Sequence, residues 1–233
     1  MRPDYNPNNP FVRNFGEVDA YLVGLVMADG CITFNNGCYK MQLALNIKDR
    51  DIIDKLYNHY KVGSVNTYRQ KRGFKESEVI KWVVYDHNLV HGLMYFEIEP
   101  RKTNLEVVPS IPYELYPHFL RGFFDGDGYV HCSYNERLRR NVHKIGFAVS
   151  YEMGQVINKL FESNLDITPK KIRKNGKSEV NYMLEYCGAS DLEKIYEYFY
   201  TNPLIYLDRK YEIFTKLYNG LKKKGGKHHG RIY

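Results

Sequence analysis

Two stretches of this chain are copies of one pattern. Residues 21–32 read YLVGLVMADGCI and residues 119–130 read FLRGFFDGDGYV, an aromatic-Leu-x-Gly-apolar-apolar-x-small-Asp-Gly-x-apolar match. The likeness runs on past the motif. KMQLALNI at 40–47 matches KIGFAVSY at 144–151, and IIDKLY at 52–57 matches VINKLF at 156–161. SEVIKWVVY at 77–85 matches SEVNYMLEY at 178–186, and PRKT at 100–103 matches DRKY at 208–211. Five blocks in the same order are the mark of a duplicated domain, and a duplication binds any fold to two equivalent halves.

Each copy reads alike. An apolar helix stops at Asp-Gly, glycine being a usual helix terminator. Two strands with period-2 alternation follow around a polar loop, CITF–NNGCY–KMQLALNI in one copy and YVHCS–YNERLRRN–VHKIGFAVS in the other. An amphipathic helix comes next, DRDIIDKLYNHY or EMGQVINKLFES, with apolar residues at i, i+3 and i+4. Two further strands bracket a basic loop, and a last helix leads to the Arg-Lys element. The expected class is α+β: two pseudo-symmetric αββαββα repeats, each with a four-stranded antiparallel sheet. The expected boundaries are an N-terminal extension over 1–17, a first repeat over 18–108 and a Pro-punctuated linker over 109–118. A second repeat over 119–220 and a basic, glycine-rich, mobile tail over 221–233 complete the chain.

The motif glycines need a cause, because glycine inside a helix costs about 1 kcal/mol relative to alanine. If the two motif helices pack side by side, Gly24 and Gly122, with Ala28 and Gly126 four residues on, let the backbones approach. That packing brings Asp29 and Asp127 together. Two adjacent carboxylates are costly unless a cation lies between them, and a divalent metal with oxygen ligands answers that need.

Composition narrows the classes of function. With 43% hydrophobic and 26% charged residues among 233, the chain is an ordinary globular one. It has no apolar run near the ~18 residues of a membrane span, and its polar start does not read as a signal peptide. The four cysteines, Cys31, Cys38, Cys132 and Cys187, lack metal-ligand spacing, so an intracellular compartment and no structural zinc are expected. Lys and Arg number 34 against 27 acids, a net +7, and there are 22 tyrosines. That is the charge and stacking profile of a nucleic-acid binder, though a merely basic globular protein shares it, and composition does not decide between them.

The nonapeptides LVGLVMADG (22–30) and LRGFFDGDG (120–128) resemble the two signature motifs of the LAGLIDADG homing endonucleases, in their single-chain, two-repeat form. The resemblance extends over about residues 18–220. It implies a monomeric, metal-dependent double-strand DNA endonuclease that acts on a long, nearly asymmetric duplex and leaves short 3′ overhangs, with no membrane and no protein partner. By resemblance, the eighth-position acids Asp29 and Asp127 bind the metal, with the carbonyls of Ala28 and Gly126 assisting. The expected ion is Mg²⁺, with Mn²⁺ substituting and Ca²⁺ binding without efficient cleavage. Asp125, at the sixth position, is expected to be a helix-end acid bonded to the other repeat. A lysine near the end of each repeat, Lys102 and Lys210, is expected to polarise the attacking water or stabilise the phosphorane; Lys48 and Lys81 are the alternatives.

DNA contacts are expected from outward-facing strand and loop residues, because Arg, Lys, Asn and Gln read base edges and tyrosines flank phosphates. The first repeat offers Thr33, Asn35, Asn36, Tyr39, Lys40, Gln42, Asn66, Tyr68, Arg69, Gln70, Lys71, Arg72 and Lys75. The second offers His131, Ser133, Tyr134, Arg137, Arg139, Arg140, Asn141, Lys144, Lys170, Lys171, Arg173, Lys174 and Asn175. The alternative function is a non-cleaving binder on the same fold, an intron-splicing maturase or a regulator. Both motif acids are present, which separates the chain from binders that have lost them.

Overall fold

The computed structural model describes residues 6–72, 75–98, 109–137, 139–176 and 181–225. A short helix, α1 (Pro10–Arg13), precedes the first motif helix, α2 (Glu17–Asp29). Strands β1 (Gly30–Asn35) and β2 (Cys38–Asn46), helix α3 (Arg50–Tyr60), strands β3 (Ser64–Arg72) and β4 (Lys75–Val84) and helix α4 (His87–Tyr95) complete the first repeat. The second repeat runs α5 (Tyr116–Asp127), β5 (Gly128–Asn135), β6 (Arg140–Val149), α6 (Tyr151–Leu165), β7 (Arg173–Lys174), β8 (Tyr182–Tyr186) and α7 (Ala189–Tyr200). Helix α8 (Asp208–Gly225) closes the described chain. Each repeat forms its own antiparallel sheet, in the orders β1-β2-β4-β3 and β5-β6-β8-β7.

The local causes are legible. Helix α2 is buried continuously from Ala20 to Met27, as its unbroken apolar run requires. Helix α3 instead buries only Ile52, Ile53 and Leu56, and leaves its charged stripe outside. Asn36 and Gly37 make the β1–β2 turn with φ of 50° and 79°, the left-handed pair that an Asn-Gly hairpin supplies. In the first sheet, alternation sends Ile32, Met41, Leu43, Ile80, Trp82 and Val84 to one buried face. Helices α3 and α4 pack against that sheet, and α6 and α7 do the same for the second, where Ile145, Phe147, Leu184 and Tyr186 are buried. The opposite face of each sheet carries the polar residues.

The chain divides into two compact units, Met1–Asp127 with Leu204–Asp208, and Gly128–Pro203 with Arg209–Tyr233. Both motif helices belong to the first unit, so the packing division falls after α5 while the sequence repeat begins before it. Three segments differ from the sequence reading. Tyr113–Leu115 form a 3₁₀ turn and α5 begins at Tyr116 with Pro117 in its first turn, so the linker region already contains the start of the motif helix. Among the described residues, strand β7 pairs only Arg173 with Met183 and Lys174 with Tyr182, whereas β3 pairs along nine residues. The tail residues 221–225 are the last turn of α8, which buries Phe214, Leu217 and Leu221; residues 226–233 lie outside those described. Among the described residues, no helix is long and apolar enough to cross a membrane.

Candidate active site and nucleic-acid interface

The two motif helices meet at their glycines. A Cβ added at Gly24 would collide with the Phe119 carbonyl oxygen and stand 2.8 Å from the Phe123 nitrogen. At Gly122 it would collide with the Tyr21 carbonyl oxygen and stand 3.0 Å from the Leu25 nitrogen. Both obstacles are backbone, which cannot swing aside, so the glycines are fixed by the close approach of α2 and α5. One turn on, a Cβ at Gly126 would overlap the Ala28 methyl and lie 3.1 Å from Oδ2 of Asp29. The Asp29 carboxylate therefore sits against the last turn of α5, next to the turn that ends in Asp127.

The electrostatics of this corner suit a cation. Each helix C-terminus carries about half a negative charge, and each of these two helices ends in an aspartate, Asp29 or Asp127. Asp29 is exposed and Asp127 half-buried, so both stay open to solvent. The donors available, carboxylate oxygens and the last-turn carbonyls of Ala28 and Gly126, are all hard. Among the described residues no group of three His, Cys, Asp or Glu side chains forms a closed metal cage. This donor set fits Mg²⁺, which takes one or two carboxylates and keeps waters or phosphate oxygens for its remaining positions.

Beneath the acids lies a feature that motif reading missed. Asp125, 4% exposed, accepts the Tyr21 hydroxyl at 2.7 Å and the Leu207 amide at 2.8 Å through Oδ2. The bond to Tyr21 joins it to the first repeat's helix, as expected for a structural acid. The Leu207 bond is one of a series. Glu17 accepts the Leu204 amide at 2.6 Å, and Nε of the buried Arg121 donates to the Ile205 carbonyl at 2.8 Å. The Lys55 ammonium donates to the Tyr206 carbonyl at 2.8 Å, and Asp51 accepts the Asp208 amide at 2.9 Å. Side chains from three helices thus hold five consecutive residues, 204–208, at their backbone. Arg121 also donates to Glu17 at 2.9 Å and lies 3.0 Å from Nδ1 of His118. Burial, reinforced by the Arg121 charge and opposed by Glu17, lowers the His118 pKa. Burial works against the Lys55 charge, but the bonds it donates to Asp208 and Asp51 outweigh that and raise its pKa.

The clamped segment runs into α8, where Lys210 is the third residue and only 6% exposed. Lys102 lies outside the described residues. Of the alternatives, Lys48 sits in an exposed 3₁₀ turn and Lys81 on β4.

Register sorts the candidate DNA contacts. On the open face of the first sheet fall Thr33, Asn35, Lys40, Gln42, Asn66, Tyr68 and Gln70, with Lys81 beside Asn66 and the positions of Arg72 and Lys75 paired at the strand ends. Tyr39, Arg69 and Lys71 have the opposite parity. Tyr39 packs on Phe34 and on His91 of α4, with centroids 4.7 and 5.4 Å away. Asn36 occupies the hairpin turn. On the open face of the second sheet fall His131, Ser133, Lys144, Arg173 and the position of Arg140. Tyr134, Lys174 and the position of Asn141 have the opposite parity, Arg137 and Arg139 lie in the β5–β6 turn, and Lys171 and Asn175 flank β7. Lys170 turns to the helical layer: its ammonium pairs with Asp191 at 2.8 Å and its backbone is held by Asn158. Tyr129 and Glu185, absent from the sequence reading, share the open face with Lys144.

Residues 114–200 match the family described as LAGLIDADG-like domain. Three solved structures share the fold over most of the chain. The LAGLIDADG homing endonuclease I-GzeII in complex with its DNA target is 12% identical, with a TM-score of 0.62 over 91% of this chain and 92% of its own. The LAGLIDADG meganuclease I-CpaMI bound to uncleaved DNA is 15% identical, with a TM-score of 0.62 over 91% and 93%. The I-LtrWI LAGLIDADG homing endonuclease bound to target DNA is 14% identical, with a TM-score of 0.60 over 89% and 91%. No curated protein matches the chain in sequence.

Proposed function

We propose that this chain, whose residues 114–200 match the LAGLIDADG-like domain and whose fold is that of solved LAGLIDADG endonucleases, is a single-chain, two-repeat LAGLIDADG protein and a site-specific endonuclease cutting both strands of a long, nearly asymmetric DNA duplex. The observation that carries this reading is the glycine contact of α2 and α5, which sets the Asp29 carboxylate against the last turn of α5, the turn that ends in Asp127. Asp29 and Asp127, with the carbonyls of Ala28 and Gly126, are the ligands for Mg²⁺ or Mn²⁺. When bound, the cation supplies Lewis acidity at the scissile phosphate and lowers the pKa of water there. Lys102 and Lys210 act on the charge that develops on the phosphorane. The open sheet faces hold the duplex, phosphates by Lys and Arg and bases by the polar strand residues. The protein works as a monomer, needs no protein partner, and acts in the intracellular compartment that holds its target.

The test is cleavage of a plasmid library carrying randomised inserts, in Mg²⁺ and in Ca²⁺, with the cut ends sequenced. The expected result is linear product from one sequence class in Mg²⁺ and binding alone in Ca²⁺. Selective binding with no cut under Mg²⁺ or Mn²⁺ would instead establish the non-cleaving alternative.

A further inference from the structure

On the open face of the second sheet, a tyrosine, a lysine and a glutamate are locked together. Tyr129 of β5 lies opposite Gly146 of β6, which lies opposite Glu185 of β8. A Cβ at Gly146 would be 2.6 Å from Cε1 and from the hydroxyl of Tyr129, so the ring as placed occupies the space that a side chain at position 146 would need. The Tyr129 hydroxyl donates to Oε1 of Glu185, and the Lys144 ammonium donates to the same oxygen at 2.7 Å. Lys144 also stands 5.9 Å from the ring centroid. Arg173 of β7 flanks the other oxygen, Oε2, at 3.8 Å, longer than a hydrogen bond. Glu185 and Lys144 keep 22% and 30% of their side-chain surface exposed, so both remain reachable from outside the sheet. Burial pushes the Glu185 pKa up, but the bonds from Lys144 and Tyr129 outweigh it and lower it, so the group is an anion at neutral pH.

An anion is out of place on a surface meant for phosphates, unless it reads something. We propose that Lys144 and Glu185 together read one G·C base pair in the major groove, a role that rests on the DNA-cleavage reading above. An ammonium has three donors and one goes to Glu185, leaving two for acceptors. The groove edge of a G·C pair offers guanine N7 and O6 as acceptors, then cytosine N4 as a donor. O6 and N4 are hydrogen-bonded to each other and so stand about 2.9 Å apart. The Lys144–Glu185 spacing of 2.7 Å matches that step, with Lys144 on O6 and N7 and Glu185 on N4. An A·T pair offers an acceptor beside a donor too, adenine N7 or thymine O4 beside adenine N6, but each is a single acceptor where guanine has two, and at O4 the thymine methyl also crowds the ammonium. Tyr129 and Gly146 are positioning residues: the ring, in the space that Gly146 leaves, fixes the carboxylate from one side.

The test is selection of bound duplexes from a randomised library in Ca²⁺, for the wild type, Glu185→Gln and Lys144→Met, with a melting curve for each. The wild type is expected to select a G·C pair at one position. Glu185→Gln keeps an acceptor for Tyr129 and should melt normally, yet lose roughly tenfold in preference for cytosine at that position and gain preference for adenine, which a glutamine amide pairs. Lys144→Met should relax the guanine of the same pair. Unchanged profiles in both variants, or changes confined to A·T positions, would overturn the proposal while leaving the endonuclease reading intact. If the wild type selected no duplex at all, the endonuclease reading itself would fall.

Discussion

At the residue scale, Asp29 and Asp127 carry the sharpest expectation. Each closes a motif helix, and the glycine contact sets the Asp29 carboxylate against the turn before Asp127. Asp29→Asn and Asp127→Asn should each abolish double-strand cleavage while leaving duplex binding in Ca²⁺ intact or slightly tighter, since a negative charge near phosphates is removed. The readout is a supercoiled plasmid bearing the selected site, and full linearisation by either variant would refute the assignment. Lys210→Met should slow cleavage without weakening binding, as expected of a group acting on transition-state charge. The place of these acids at the two helix ends was legible because the Asp-Gly stop is duplicated. Glu185 was not, because a search for DNA contacts by residue type passes over acids, and Tyr129 is absent from the sequence reading although other tyrosines are in it. Gly146 was the available signal: a glycine within a strand marks close approach by something else.

At the element scale, the packing of α2 on α5 is a backbone contact, and its cost when disturbed should be that of overpacking against groups that cannot move. Gly122→Leu should lose about 3 kcal/mol or more, read as a fall of several degrees in Tm for a chain of this size. Wild-type melting would remove the packing argument. The clamp on residues 204–208 is a second element-scale device. It was illegible in the sequence because its parts, Glu17, Asp51, Lys55, Arg121 and Asp125, are scattered over three helices and bond backbone rather than one another's side chains alone. His118 makes it sensitive to pH. Its folded pKa lies below the ordinary 6.5, so as pH falls through 6.5 the unfolded chain takes up a proton that the folded chain refuses. Stability is therefore expected to fall below pH 6.5 and to owe nothing to this group above it. His118→Gln, which can still accept from Arg121, should show a shallower loss of Tm between pH 7 and pH 5.5 than the wild type. Equal slopes would mean that the histidine does not titrate against the clamp.

At the scale of the whole molecule, the duplication predicted both four-stranded sheets and their helix order, because alternation and amphipathic spacing survive in both copies. It did not predict the reach of α8 through residues 221–225, where the apolar Leu217 and Leu221 extend a helix into a segment whose lysines and glycines read as a loose tail. Nor did parity follow from composition. Arg69, Lys71 and Lys174 are as basic as Lys40 and Lys144, yet register puts them on the other side of their strands. The consequence is measurable as salt dependence. A net charge of +7 counts every cation alike, but only cations that meet phosphates release counterions, with log K falling by about 0.9 per phosphate contact for each decade of salt. If register decides, Lys40→Gln should make that slope shallower by about one contact, whereas Lys71→Gln should leave it unchanged. Both variants remove the same formal charge. Equal slopes for the two would show that overall charge, rather than the open faces of the sheets, holds the duplex.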